Sequence, residues 1–376
     1  MSIVDKYIIR EMNEKLVLNT IIKRETISRA DLSKITRLNK TTISSIVADL
    51  ISKDLVIEIG CAASSGGRKP IMITFNNKAG FSLSFDVGPN YITSLLTYLD
   101  GQFVADDYTP LEEVSVDLIM KSLESSIETY LKNLPTSTYG IIGICIGLHG
   151  IVDKNQLIFS PFYKFEQVNL KEKLEAKFNI SISIENEANL AALGEQQNTK
   201  TPASNLISLS VKYGIGAGII LNDTLYTGTN GHAGEIGHIT TVSNGHQCPC
   251  GNRGCLEQYA SEHRILKTYS ETLGLERVSF AKFKSDYFAG NPEAKKLMAQ
   301  FTEHMTIAIN NLITTFNPEV IIINSKFTNQ IDDTINQIKD QITYKGRGKT
   351  IITASNLDRK STLLGGVYIN ITRFLN

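Results

Sequence analysis

A change of periodicity near residue 80 constrains the fold more than any other feature. From Phe81 onward, short apolar runs (FSLSFDV, GPNYITSLLTYL, GIIGICIGL, ISISIE, NLISLSVKY, GAGIILND, VIIIN) recur between glycine turns and helical stretches. Apolar runs of this length bounded by turn residues read as strands, and strands alternating with helices imply layered α/β architecture. Helices are expected over Val116 to Lys132, over NEANLAALGEQ directly after ISISIE, and within an α-rich stretch from Leu256 to Asn317. Two similar starts, Asp86-Val87-Gly88 and Gly214-Ile215-Gly216-Ala217-Gly218, predict two lobes with a cleft between them. The lobes are expected at 81–195 and 196–361, with a C-terminal helix over 362–376 completing the first.

Residues 1–80 follow helical spacing instead. Ile8, Ile9, Met12, Leu16, Ile21 and Ile22 form the apolar stripe of a first helix ending near Lys23 and Arg24. Ser28 can cap a second helix carrying Ala30, Leu32 and Ile35, and Asn39 can cap a third that buries Ile43, Ile46, Val47, Leu50 and Ile51. Two strand-like segments follow, Leu55 to Ile59 and Ile71 to Phe75, joined by CAASSGGRKP. The pattern is a helix-turn-helix with a wing. Arg37 stands in the turn where such units often use glycine, so a positive φ there would cost on the order of 1 kcal/mol.

The formal net charge of zero hides an asymmetry that bears on the partner. Residues 1–80 carry 13 Lys and Arg against 8 Asp and Glu, which leaves 25 against 30 in the remainder. A small basic module joined to an acidic body suits a phosphate backbone. Asn39, Lys40, Thr41, Thr42, Ser44 and Ser45, with Lys53 further along, face outward from the third helix, and Arg68 and Lys69 close the wing. These are the candidate contacts to double-stranded DNA, the third helix in a major groove and Arg68 in a narrowed minor groove.

The stretch HITTVSNGHQCPCGNRGCLEQ places His238 ahead of Cys248, Cys250 and Cys255. One imidazole and three thiolates fill the four positions of a structural Zn2+, and Gly251 and Gly254 let the chain turn tightly around it. The alternatives are unrelated buried cysteines or a disulfide, the second disfavoured by the lack of a secretion signal. The opening MSIVDKYIIREMNEK mixes charges into its apolar residues and reads as neither a signal peptide nor a membrane span, so a cytoplasmic protein without membrane partners is expected. With 42% apolar and 20% charged residues, the composition argues against disorder.

Four ordered motifs, GICIGLHGIVD, IENEANLAALGE, GIGAGIILNDTLYTGTNGHAGEIGHI and CPCGNRGCLEQYAS, resemble those of the ROK family of sugar kinases and sugar-responsive repressors. The N-terminal module with its SSGGRKP wing is similar to that of the family's repressor branch, so the resemblance covers essentially the whole chain. It implies an α/β fold in which an N-terminal winged helix-turn-helix precedes a two-lobed, actin-like, ribonuclease-H-like body with a sugar in the cleft. The implied sugar contacts are Asn186 and Glu187 of the NEAN stretch, Glu235 and His238 of GEIGH, Glu257 of GCLE, and Gly150. Carboxylates and an amide bind vicinal hydroxyls in pairs. His238 would face the metal through one ring nitrogen and the sugar through the other.

The rival expectation is a sugar kinase that phosphorylates a hexose with ATP. Family kinases carry Asp-x-Gly-Gly-Thr in the first phosphate loop, where this chain reads Asp86-Val87-Gly88-Pro89-Asn90. Proline offers no N–H to a phosphate. The second loop, Gly-Thr-Gly-Ile-Gly in the kinases, is Lys212-Tyr213-Gly214-Ile215-Gly216, and the catalytic Asp is replaced by Glu187. One extra C–C bond moves a carboxylate by roughly 1.5 Å, and misplacement on that scale can cost about a hundredfold in rate. The expectation is therefore a non-enzymatic repressor released from operator DNA by a monosaccharide, with D-xylose favoured because Glu187 would fill the space of a hexose C6 group. Two half-sites call for a homodimer, with a tetramer left open.

Overall fold

The structure, a computed structural model, describes residues 6–61, 70–111, 114–164, 168–199, 201–344 and 348–376. Its basic N-terminal module is built from α1 (Lys6–Arg24), β1 (Thr26–Ser28), α2 (Arg29–Thr36), α3 (Lys40–Ser52), β2 (Val56–Cys61) and β3 (Ile71–Phe75). Ser28 caps α2 by accepting from the Asp31 N–H at 3.1 Å, and Asn39 caps α3 by accepting from the Thr42 N–H at 2.8 Å. Apolar side chains from all three helices meet in one core: Val17, Leu18 and Ile21, then Leu32, then Ile43, Ile46, Val47 and Leu50, sealed by Val56 and Ile73. The sheet runs β1-β3-β2, all antiparallel, with a bulge between Glu58 and Gly60. Strand β1 is too short to show alternation in the sequence. Arg37 takes φ 59°, the left-handed conformation whose cost the sequence anticipates.

The stripe expected on α1 is corrected by the structure. Ile8, Ile9, Met12 and Leu16 are about half exposed or more, and so is Ile35 on α2. The core instead takes Val17, Leu18 and Ile21, from the half of α1 that has α2 and α3 beside it. Spacing reveals that a helix has an apolar face, but not how much of its length has a neighbour.

Two five-stranded sheets form the body and repeat one plan. In the first, β4 (Phe81–Gly88), β5 (Tyr91–Tyr98) and β6 (Phe103–Pro110) are antiparallel, while β7 (Ile141–Leu148) and β10 (Ile182–Asn186) continue from β4 in parallel. In the second, β11 (Leu206–Val211), β12 (Ile215–Leu221) and β13 (Thr224–Leu225) form the antiparallel part, and β14 (Val320–Asn324) and β15 (Ile351–Ala354) the parallel part. A small hairpin, β8 (Ile151–Asp153) with β9 (Gln156–Phe159), leaves the end of β7. Helices α4 (Val116–Lys132) and α5 (Leu170–Phe178) cover the first sheet. The second carries α7 (Glu257–Ala260), α8 (Glu262–Thr272), α9 (Phe280–Phe288), α10 (Pro292–Phe316), α11 (Lys326–Gln330) and α12 (Thr334–Gln341). No described helix is long and apolar enough to cross a membrane.

Between the sheets lie α6 (Glu187–Asn198) and α13 (Lys360–Leu375). The expected lobe boundary at 195 falls inside α6, which packs mainly against β11 and β12, whereas α13 lies on β4 and β7. Glycines make the crossing possible. A Cβ on Gly194 would stand 2.0 Å from the Ser361 carbonyl oxygen, and one on Gly365 only 1.9 Å from that of Leu190. Asn370 then ties α13 to the first sheet, donating to Ser82 Oγ and the Leu83 carbonyl at 3.0 Å each.

The far end of α13 reaches the N-terminal module. Leu375 packs on that module's core, and Phe374 meets Tyr139 edge to face at 4.9 Å. The Tyr139 hydroxyl donates to the Lys53 carbonyl at the C-cap of α3, at 2.6 Å. Replacing Gly365 with Ala should lower stability by about 1–3 kcal/mol, because overpacking against backbone outweighs the roughly 1 kcal/mol gain in helix propensity. A shift of the urea midpoint upward in Gly365→Ala would contradict this.

Candidate functional site

Strands β4, β7, β10 and β11 all end at one place, and the residues just past the carboxyl ends of parallel strands are where open α/β sheets place ligands. Asp86 lies two residues before the end of β4, His149 and Gly150 follow β7, Asn186 closes β10, and Lys212 follows β11. Glu187 opens α6, the helix running straight out of β10.

These groups form a buried polar cluster. Lys212 Nζ lies 2.6 Å from Glu187 Oε1 and 3.8 Å from Asp86 Oδ2. Glu187 Oε1 also accepts from Ser210 Oγ at 2.8 Å and from Thr362 Oγ1 at 3.1 Å. Asp86 accepts from the Tyr91 hydroxyl at 3.0 Å, and His149 Nε2 stands 3.2 Å from its other oxygen. Burial alone would raise both carboxyl groups, but the Lys212 ammonium, helped by His149, holds both below the ordinary carboxylate range. Burial likewise works against the Lys212 charge, yet Glu187 and Asp86 raise its pKa overall.

The expected sugar contacts fall into two groups. Asn186 accepts from the N–H groups of Ala188 and Asn189 as the cap of α6, and its amide donates to the Gly150 carbonyl at 2.7 Å. Glu187 adjoins them. The second group surrounds the cysteines: His238 Nε2 lies 3.7 Å from Glu235 and Nδ1 3.8 Å from Glu257. Gly214, in the turn after Lys212, bridges the groups: a Cβ there would stand 3.2 Å from Glu257 Oε2.

His238, Cys248, Cys250 and Cys255 bring their ligand atoms within 4.8 Å of one another. Cys248 Sγ is 3.7 Å from His238 Nδ1, and the Cys250 and Cys255 sulfurs are 3.7 Å apart. A tetrahedral ion with metal–sulfur bonds near 2.3 Å needs ligand edges of about 3.8 Å, so the set fits a metal, and a disulfide at about 2.05 Å does not describe it. Gly251 and Gly254, at φ 97° and 79°, supply the tight turns. His238 points Nδ1 inward and leaves Nε2 toward Glu235.

On the N-terminal module, Asn39, Lys40, Thr41, Ser44 and Ser45 are exposed and Thr42 is half-buried, all on the outer side and N-terminal half of α3. Lys53, at the C-terminal end of α3, is also exposed and pairs there with Glu14 of α1. Arg68 and Lys69 lie outside the described residues. Sequence reasoning missed His149, Tyr91, Arg359 and Thr362, and read Lys212 only as a departure from a phosphate loop. The Arg359 guanidinium sits 5.6 Å from the centres of both the Tyr91 and Tyr108 rings, a stack that no spacing rule announces.

Two sheets of one plan around paired helices, with a polar cluster at their strand ends, define a two-lobed α/β body carrying a helix-turn-helix. The ROK family profile matches residues 82–373, and the chain belongs to the ROK family. It is similar to the xylose repressor of Bacillus spizizenii, 37% identical over 382 residues covering 100% of this chain and 99% of the relative. Among solved structures it resembles a ROK family transcriptional regulator, described as a homolog of the Escherichia coli Mlc protein, with a TM-score of 0.81 and 26% identity over 98% of this chain and 96% of the other. A ROK family glucokinase from Streptomyces griseus shares the fold, with a TM-score of 0.69 and 22% identity over 77% of this chain and 99% of the other.

Because both carboxylates are depressed, their stabilising effect is present above their unfolded pKa values near 4 and is lost as the pH falls through the lower folded values. Asp86→Asn should therefore cost about 3 kcal/mol near neutral pH, with the gap to wild type narrowing below pH ~4. Urea denaturation across that range measures it, and a gap independent of pH would refute the assignment.

Proposed function

We propose that this chain is a sugar-responsive transcriptional repressor: its winged helix-turn-helix binds operator DNA, and a monosaccharide, D-xylose by preference, binds in the ROK body and releases it. One observation carries the reading. The exposed polar face of α3 stands on a module whose core is joined to the ROK body by α13, and α13 begins at the polar cluster, where Thr362 donates to Glu187. A change at the cluster thus has a direct path to α3. Xylose is favoured because the Bacillus spizizenii relative, similar over its full length, is named a xylose repressor.

The cluster counts against the kinase alternative. The Tyr91 ring lies over the first loop, where a Cβ on Gly88 would meet it at 2.3 Å, and Lys212 occupies the space between the two carboxylates. Tyr213 stacks on His263 at 3.9 Å and meets Phe162 edge to face at 5.1 Å, closing the second loop with aromatic rings. In this reading the protein is not an enzyme, works in the cytoplasm, and reads its operator as a homodimer.

The metal is read as zinc, held by His238, Cys248, Cys250 and Cys255 as structural support. It fixes the His238 ring so that Nε2, with Glu235 and Glu257, can face the sugar, while Gly150, Asn186 and Glu187 contribute from the other side. Sugar between the lobes weakens operator binding by its differential affinity for the two states, typically about 5- to 150-fold.

Fluorescence anisotropy on operator DNA should show release by D-xylose and not by D-glucose, with no ATP turnover with either sugar; release by glucose alone, or turnover, would overturn the reading. Lys40→Ala should weaken operator binding without changing sugar affinity, and reduce the slope of log K against log salt by about one. An unchanged slope would remove Lys40 from the interface. Cys255→Ser should lower zinc content and xylose affinity together, and metal analysis of wild type giving well under one zinc per chain would sink the zinc assignment.

A further inference from the structure

Among the described residues, one group of side chains besides the cysteine cluster has the geometry of a metal site. Asp86, His149 and Glu187 each offer a ligand atom, and these atoms lie within 4.8 Å of one another. All three come from buried or nearly buried side chains at the ends of β4, β7 and β10. Two carboxylates and an imidazole converging in this way would ordinarily recruit a divalent cation. Lys212 reaches into this group from the second sheet, with Nζ 2.6 Å from Glu187 and 3.8 Å from Asp86.

We propose that Lys212 is a specificity-determining residue: its ammonium is a tethered cation that takes the place of a divalent ion between Asp86 and Glu187, making the cleft a site for neutral polyols rather than for metal-bound phosphates. The proposal deepens the sugar-responsive reading and rests on it for the identity of the ligand.

Three physical points support it. Two buried carboxylates without a counter-charge would be strongly destabilising, so some cation is required, and a lysine is a compact point charge that can serve. Unlike a soluble ion, it is covalently fixed at unit charge, leaving no open coordination position for a phosphate oxygen. Lys212, Ser210 and Thr362 also converge on the same oxygen of Glu187, Oε1. Oε2 takes no hydrogen bond from the described residues, and so remains an acceptor with a fixed direction for a ligand hydroxyl.

The test uses full-length, zinc-loaded protein and Mn2+ alone as probe, with bound ion read by electron paramagnetic resonance. Wild type should bind no Mn2+ at the cleft, whereas Lys212→Ala should bind one per chain at least about tenfold more tightly, since a repelling like charge has gone. The double variant Lys212→Ala with Asp86→Asn should lose that ion again. Lys212→Arg, which keeps the charge, should exclude Mn2+ as wild type does. If Lys212→Ala folds poorly, Mn2+ should raise its melting temperature and leave that of wild type unchanged. Mn2+ binding by wild type that Asp86→Asn abolishes, or a folded Lys212→Ala protein that binds none, overturns the proposal. A separate arm measures D-xylose affinity, which Lys212→Ala should weaken and Lys212→Arg should retain in part. The Mn2+ arm needs neither sugar nor DNA, so its failure is distinguishable from failure of the repressor reading.

Discussion

The close crossing of α6 and α13 is the constraint from which the rest of the structure follows. Backbone rests on backbone where Gly194 faces Ser361 and Gly365 faces Leu190, so the two helices form one slab between the sheets. That slab orients the polar cluster, because Glu187 opens one helix and Thr362 stands in the first turn of the other. The contact is unforgiving in a way that a side-chain interface is not. A neighbouring leucine can change rotamer, but a carbonyl oxygen in a helix is held by its own hydrogen bond and cannot retreat.

Next to the crossing, the protein meets the problem of buried charge in two different ways. At the cysteines, a metal ion suits four donors whose spacing matches a tetrahedron, and the tight glycine turns serve that geometry. At the strand ends, a protein ammonium neutralises the carboxylates instead, with hydroxyl groups of Ser210 and Thr362 donating to Glu187 Oε1 and that of Tyr91 to Asp86. Desolvation of an unpaired ion would cost several kcal/mol in either place, so the loss of a single member from either set is strongly destabilising. A metal can be removed by a chelator; Lys212 cannot.

Much of this was legible in the sequence, and the misses share a cause. Strands β4, β7, β10, β11 and β14 stood out because their apolar runs are buried on both faces, and the helix caps Ser28 and Asn39 because capping is a local hydrogen bond between near neighbours. The cysteine cluster was visible because three of its four ligands are close in the chain. Strand β6 was missed because FVADDYTP lies largely exposed and lacks an apolar signature. Ile8, Ile9 and Met12 misled because their spacing is helical whether or not anything packs on them. The Lys212 bridge to Asp86 and Glu187 joins residues from three separate strand ends, and only the three-dimensional fold brings such residues together.

The span of α13 has a mechanical consequence. Sixteen residues at 1.5 Å each make a rod about 24 Å long, stiff on the scale of the protein, with its first turn at Glu187 and its last against the N-terminal core. The far end of this rod stands beside α3, with Phe374, Tyr139 and the Lys53 carbonyl in line between them. A pivot of about 5° at the cleft carries the far tip roughly 2 Å, a displacement greater than the tolerance of a hydrogen bond to a phosphate or a base edge. In the proposed repressor reading, an angular change of α13 at the strand ends, made together with the sheet and helix it packs on, would be magnified by the length of this one helix where the groove is read.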